Sequence, residues 1–309
     1  MSIRYLDIVR MCVNNGPGLR TTIHFKGCSL ACKWCHRPES ISRRRQAMWY
    51  ASQCLGCHSC LSACKSGAVA LDGDGALRID QRRCESCFSC AAVCPSRAMQ
   101  VSGTDAAPES LSEELVKDQP YFGAEGGVTL SGGEPLAQED AVTLLQLLKK
   151  RGVHTAVETC GMVFPAQLER ALDHTDLLIF DLKLMDDGLH RRFTGQSNAI
   201  ILRNLGAAAM WAKGKGRLWM RTPIVPGVTD GPENIRLIGE RIAALGSVER
   251  WELYAFDNSL TQRYARLGSV WPYGDTPLLS KTRMDALLLA AQAAKPCPSV
   301  VYTGPLRDE

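Results

Sequence analysis

The chain has 309 residues, is 45% hydrophobic and 22% charged, and carries a formal net charge of +4. This is an ordinary globular composition, long enough for one large α/β domain or for one domain with a small insert. No stretch approaches the roughly 20 apolar residues of a membrane span. Residues 1–13, interrupted by Arg4, Asp7 and Arg10, lack a signal-peptide core, so a cytoplasmic protein without a membrane partner is expected.

Fourteen cysteines in that setting argue for metal or redox chemistry rather than disulfides. The first predicted element is a strand, Thr21-Thr22-Ile23-His24-Phe25, which runs into Lys26-Gly27-Cys28. There begins Cys28-Ser29-Leu30-Ala31-Cys32-Lys33-Trp34-Cys35, a C-x3-C-x2-C run at a strand's C-terminal end. Three thiolates holding three irons of a cubane leave the fourth iron open for chemistry. A zinc knuckle or chance spacing is the other reading of this run alone. Next comes Arg43-Arg44-Arg45, which reads as a solvated loop or as a docking patch for a protein.

Residues 50–103 hold eight cysteines and little Leu, Ile or Phe, so this segment is expected to need a metal to organise it. Its two runs are Cys54-x2-Cys57-x2-Cys60-x3-Cys64 and Cys84-x2-Cys87-x2-Cys90-x3-Cys94-Pro95. They repeat each other thirty residues apart and have the spacing of two-cluster ferredoxins, in which the fourth cysteine crosses to the other cluster. That assigns Cys54, Cys57, Cys60 and Cys94 to one [4Fe–4S] cluster and Cys84, Cys87, Cys90 and Cys64 to another. Zinc is the alternative, though it usually takes separated C-x2-C pairs. Lys65 stands where the motif has proline. Cys12, Cys160 and Cys297 remain over and read as small buried residues. Four-thiolate cubanes carry about −2 each and a three-thiolate one about −1, which takes the loaded protein to about −1. No electrostatic case for nucleic acid is left.

From about residue 104 the pattern is α/β. Strand-like runs fall at 128–130, 155–157, 177–180, 218–225, 251–256 and 300–302. Ala141, Leu144, Leu145 and Leu148 recur at helical spacing before Gly152, and Met284, Leu287, Leu288 and Ala291 do so near the end; 200–212 and 235–245 also read as helices. Alternating strands and helices imply a parallel sheet with helices outside, as a partial, incomplete TIM-type β/α barrel. The expected organisation is a first barrel part over 1–49, a ferredoxin-like insert over 50–103 and the rest of the barrel over 104–309.

At this point the chain resembles the radical SAM superfamily, and within it the activating enzymes of glycyl-radical enzymes. The resemblance rests on Cys28-x3-Cys32-x2-Cys35, Trp34-Cys35-His36, Ser131-Gly132-Gly133-Glu134-Pro135, Asn15-Gly16-Pro17-Gly18-Leu19-Arg20-Thr21, Asp181-Leu182-Lys183, Thr194-Gly195 with Ser197-Asn198, and Arg221-Thr222-Pro223-Ile224-Val225-Pro226-Gly227. Asn15 stands where the family usually has Asp, Arg37 where it has Asn, and Tyr254-Ala255-Phe256-Asp257 where many members have a run ending in a histidine that contacts S-adenosylmethionine (SAM).

The resemblance implies three [4Fe–4S] clusters, SAM bound at the open iron, and a glycyl-radical enzyme as protein substrate, with a flavodoxin or ferredoxin-type electron donor. It also implies SAM contacts from Trp34, Cys35, His36, Gly132, Gly133, Glu134, Asp181, Lys183, Arg221 and Asp257. On this reading the two glycines let the ligand approach the backbone, Glu134 accepts from the ammonium and Lys183 pairs with the carboxylate. Asp181 and Glu158 fit a monovalent cation, and Arg221 either aids the carboxylate or pairs with an acid. Surface ion pairs are the plainer reading of these charges. Two other functions remain open from the sequence: a radical SAM enzyme acting on a small molecule or another peptide residue, and a polyferredoxin-like electron carrier.

Overall fold

The computed structural model describes residues 2–307. Among them one nine-stranded sheet dominates. Its strands are β1 (Ile3–Cys12), β2 (Arg20–Phe25), β3 (Thr104–Ala106), β4 (Gly127–Gly132), β5 (Thr155–Thr159), β6 (Leu177–Asp181), β7 (Arg217–Ile224), β8 (Arg250–Ala255) and β9 (Ser299–Thr303). Their spatial order is β9-β8-β7-β6-β5-β4-β2-β1-β3. β2 and β4 to β9 run parallel, and β1 pairs antiparallel with both β2 and β3. The order begins at β9 and ends at β3, which makes an open, partial barrel.

Helices cover the outside: α1 (Pro108–Leu115), α2 (Asp140–Lys150), α3 (Pro165–Leu172), α4 (Asp187–Thr194), α5 (Ala199–Ala212), α6 (Pro232–Leu245), α7 (Thr261–Arg266) and α8 (Lys281–Ala293). α2 forms where expected because Ala141, Leu144, Leu145 and Leu148 make one apolar stripe, now fully buried, and Gly152 follows at φ +71°. α4 carries too few apolar residues for such a stripe; its ends define it instead, with Asp186 Oδ1 accepting from Leu189 N at 2.6 Å and Gly195 at φ +84°.

Strand periodicity sorts the sheet's two faces. Outward side chains join the main core under the helices. Inward ones form a separate apolar plug of Ala156, Leu177, Ile179 and Trp219. Two residues further along the same strands, the same face presents Glu158, Asp181 and Arg221. Apolar below and ionic at the strand C-terminal ends is the layering that places a barrel's site.

The cysteine-rich segment lies in the connection between β2 and β4. Its first strand, Gln46–Trp49, pairs antiparallel with its last, Met99–Ser102, and Val69–Leu71 pairs with Leu77–Ile79. Short helices at Ser59–Ala63 and Ser89–Ala92 each follow a left-handed residue, His58 and Phe88, both at φ +60°. The thirty-residue repeat is thus repeated in backbone conformation. The segment does have a small core, with Cys60 and Cys90 buried among Ala47, Val69, Leu77, Ile79 and Met99. No helix of the described residues is long and apolar enough to cross a membrane.

Candidate active site

Cys28 follows β2 and opens a loop that other elements hold from three sides. Cys28 N donates to Ile41 O at 3.0 Å, Ala31 N to Thr194 O at 2.8 Å and Lys33 N to Phe193 O at 3.0 Å. Tyr264 Oη donates to Cys35 O at 2.9 Å. The C-terminal end of α4 therefore offers the carbonyls of Phe193 and Thr194 to the cysteine loop. Trp34 is buried and packs 6.5 Å from Phe193.

This loop and the strand ends enclose a cavity of about 300 Å³. Its walls include Cys28, Cys32, Trp34, Cys35 and His36 from the loop, Gly132 and Gly133 from β4 and the turn after it, and Glu158, Asp181, Lys183 and Arg221 from the ionic layer. The three half-buried thiols do not share one environment: Cys28 is held below its ordinary value, whereas Cys32 and Cys35 are not. Burial first, and the neighbouring sulfur of Cys28, push Cys32 up to about 12 against the pull of Lys183. Burial and the neighbouring Cys32 raise Cys35 too. Iron supplies the positive charge these thiolates lack, so the donor set fits a metal cluster.

The ionic layer is a connected network. Arg221 pairs with Glu158 Oε1, with Glu252 Oε2 at 2.8 Å and with Asn14 O at 2.8 Å, and it lies 5.3 Å from the Tyr254 ring centre. Glu158 Oε2 accepts from Ser131 Oγ at 2.5 Å and Asn15 Nδ2 at 2.9 Å. Burial opposes the charge on Glu158, but Arg221, Ser131 and His24 together keep its carboxyl below its ordinary range. Lys183 donates to Asp181 Oδ2 at 2.7 Å. Burial opposes the charge on Lys183 as well, and Asp181 leads the neighbours that hold it above its ordinary value. Asp181 Oδ1 is buried without a hydrogen-bond partner. Of the two readings of Arg221, its side chain satisfies the second, pairing with two acids.

Two sequence expectations need correcting, for Glu134 and for the leftover cysteines. Glu134 does not face the cavity: it is fully buried, with Oε1 accepting from Leu136 N at 3.1 Å, both oxygens within 2.9 Å of Thr159 Oγ1, and Oε2 accepting from Cys160 N at 2.8 Å. Burial raises its carboxyl. Gly132 and Gly133 do line the cavity, but what demands glycine is the protein itself. A Cβ on Gly132, at φ +109°, would stand 2.4 Å from Phe25 N, and one on Gly133 would stand 2.3 Å from Gly27 O. The leftover cysteines are not uniformly buried filler. Cys12 and Cys297 are half-buried, and Cys160 is buried in the cavity wall beside Cys28.

Asp257 lies outside the cavity lining and accepts from Ser259 N at 2.8 Å; its charge acts on His36, whose imidazole burial holds below its ordinary value. Tyr264, Glu252 and Asn14 reach the site with no motif to announce them.

In the cysteine-rich segment, Cys54, Cys57, Cys60 and Cys94 border one small cavity together with Trp49 and Met99. Cys94 acts electrostatically on Cys57 and Cys60, and Cys64 on Cys87 and Cys90. The fourth cysteine of each run therefore lies with the first three of the other. Ser59 and Ser89 hydroxyls donate to Cys57 and Cys87 sulfurs at 3.5 and 3.6 Å, again in matching positions. Among the described residues no three His, Cys, Asp or Glu side chains converge closely enough to hold a single metal ion. Tetrahedral zinc would need its sulfurs about 3.8 Å apart; a cubane, whose thiolates bind separate irons, needs no such convergence.

Residues 82–237 match the radical SAM superfamily and residues 53–98 a 4Fe-4S dicluster domain. The first range begins inside the inserted segment, so it takes in the second cysteine run but not the loop of Cys28, Cys32 and Cys35. The chain is 36% identical over 295 residues to an isethionate sulfite-lyase activating enzyme of Oleidesulfovibrio alaskensis, covering 93% of this chain and 94% of that protein. It is 35% identical over 235 residues to the trans-4-hydroxy-L-proline dehydratase activating enzyme of Clostridioides difficile, covering 75% and 76%. A solved radical SAM methyltransferase from Sphaerobacter thermophilus shares the fold, with a TM-score of 0.50 at 13% identity over 97% of this chain and 70% of that one.

A partial parallel barrel with a three-cysteine loop at its strand ends is the frame of a radical SAM protein, and that class uses a [4Fe–4S] cluster and SAM. The chain belongs to the activating enzymes of glycyl-radical enzymes within this superfamily.

Proposed function

We propose that this chain activates a partner glycyl-radical enzyme. When bound, the cluster supplies one electron to the sulfonium of SAM, so that the C5′–S bond breaks to methionine and a 5′-deoxyadenosyl radical, which takes hydrogen from a backbone glycine of the partner. The observation that carries this reading is the loop itself: three thiols, and no fourth ligand from their own run, facing a cavity at the strand ends.

Cys28, Cys32 and Cys35 hold the irons. Lys183, next to Cys32 and balanced by Asp181, attracts the SAM carboxylate. Gly132 and Gly133 lend backbone at the turn after β4. Trp34 and His36 close one wall of the cavity and exclude water. The unpartnered Asp181 Oδ1, buried at the cavity wall, suits a monovalent cation. Residues 50–103 form a two-cluster insert held by the crossed cysteine sets, and the chain takes its electrons from a flavodoxin or ferredoxin-type donor.

Cys32→Ala tests the reading. After anaerobic reconstitution it should keep about eight of twelve irons and release no 5′-deoxyadenosine under reduction. Normal SAM cleavage by this variant would refute the site assignment. A glycyl radical seen by electron paramagnetic resonance only when the partner enzyme is present separates protein activation from small-molecule chemistry.

A further inference from the structure

The two cluster-binding runs are alike in spacing but not in surroundings. Residues 51–60 contain no Lys, Arg, Asp or Glu. The loop from Cys84 to Cys90 is ringed by cations. Arg44 Nη2 donates to Cys84 O at 3.2 Å and to Ser86 Oγ at 3.3 Å. The Arg45 guanidinium lies 5.0 Å from the Phe88 ring centre, and its backbone carbonyl accepts from Ser86 Oγ. Arg83 Nη2 donates to Ser66 O at 3.0 Å, beside Lys65 and two residues from Cys64. Arg44, Arg45, Lys65, Arg82 and Arg83 are all exposed, and so is Cys87. The acids here are Glu85, exposed, Asp80, whose carboxylate accepts from Arg82 N at 2.8 Å, and Asp105, which feels Arg45 but is bonded through both oxygens to Arg4.

The guanidiniums of Arg44 and Arg83 bond to carbonyls and a hydroxyl rather than carboxylates, so their charge stays available to a visitor. The same segment also leads inward: Ile41, three residues before Arg44, accepts the N–H of Cys28.

We infer that this basic face is the docking site of an acidic one-electron carrier protein, which delivers its electron to the cluster held by Cys84, Cys87, Cys90 and Cys64. The inference deepens the function proposed above and rests on it. One electron leaves the reduced carrier and lowers the cluster's charge by one; no bond is made or broken. Opposite charge on the two faces steers the encounter and raises its rate, an effect that salt screens.

The test uses the reconstituted holoenzyme and a reduced, acidic flavodoxin as probe, followed by anaerobic stopped-flow absorbance. The second-order rate should fall as salt rises, and Arg82→Glu with Arg83→Glu should lower it at least tenfold at low salt. Lys150→Glu, exposed at the far end of α2, should leave it unchanged, and dithionite should reduce all variants equally. A rate indifferent to both salt and the double substitution overturns the inference. If the double variant fails to hold iron, the salt series on the unsubstituted enzyme and the milder Arg82→Gln decide. Normal reduction by flavodoxin with a lowered glycyl-radical yield would assign the face to the glycyl-radical enzyme and overturn it as well. Failure of the unsubstituted enzyme to cleave SAM with dithionite would sink the underlying function instead.

Discussion

The phenol of Tyr264, on α7, donates a hydrogen bond to the backbone carbonyl of Cys35 across 229 residues of sequence. Its ring stacks on Trp271, with centres 5.4 Å apart and planes 15° apart. The bond ties the C-terminal end of the chain to the loop that closes the active cavity. Tyr264→Phe keeps the stack and deletes the bond, leaving a part-buried carbonyl unpaired at a cost of about 1 kcal/mol. The expected result is normal iron loading but faster loss of one cluster's iron to a chelator than in the unsubstituted protein. Equal release rates would show that this contact does not steady the loop.

Glu134 presents a choice between two roles that one pair of variants resolves. Its carboxylate serves Leu136 N, Thr159 Oγ1 and Cys160 N, all inside the protein. Glu134→Ala leaves these donors buried and unpaired, which costs about 3 kcal/mol. Glu134→Gln keeps the shape and an acceptor but not the charge. Both should lower the thermal midpoint, the alanine more, while calorimetric SAM affinity of the folded glutamine variant stays within about twofold of the parent. A glutamine variant of unchanged stability and much weaker SAM binding would restore Glu134 as a direct contact.

That outcome also marks what a sequence can and cannot disclose. β4 to β8 were legible because buried parallel strands read as apolar runs, β9 because Val300, Val301 and Tyr302 favour a strand even at the half-buried edge, and the cysteine sets because metal spacing is local. β1 was not, since Arg4, Asp7 and Arg10 interrupt its apolar pattern and most of the strand is only half-buried. The direction of Glu134 was not, because it depends on Thr159 and Cys160 arriving from the next strand. Cys160 looked like a remainder by counting and turned out to lie against Cys28. Tyr264 had no motif at all, as its role comes from the way the chain returns to the site.

Removing iron should separate the inserted segment from the barrel. The segment's core mixes Cys60 and Cys90 with only a few aliphatic side chains, whereas the barrel has its own extensive core. Chelation under reducing, anaerobic conditions is therefore expected to open residues 50–103 to protease while the sheet and its helices resist. Fragments cut first between β4 and β9 would contradict this, because they would place the metal dependence in the barrel.

The contact between Cys160 and Cys28 makes the last expectation. The Cys160 thiol lies beside the sulfur that this reading makes an iron ligand, in reach to donate to it; a donor to a ligand sulfur draws off its electron density and makes the cluster easier to reduce. Cys160→Ala removes the donor without touching the three ligands. Its loop cluster should load fully but titrate at a lower reduction potential, followed by the electron paramagnetic resonance signal of the reduced state, while the clusters of the inserted segment titrate as before. Cys160→Ser, which retains a hydroxyl donor, should fall between the two. A potential that is unchanged or raised in the alanine variant would mean that Cys160 only fills space beside Cys28, as its place outside the cysteine runs had suggested.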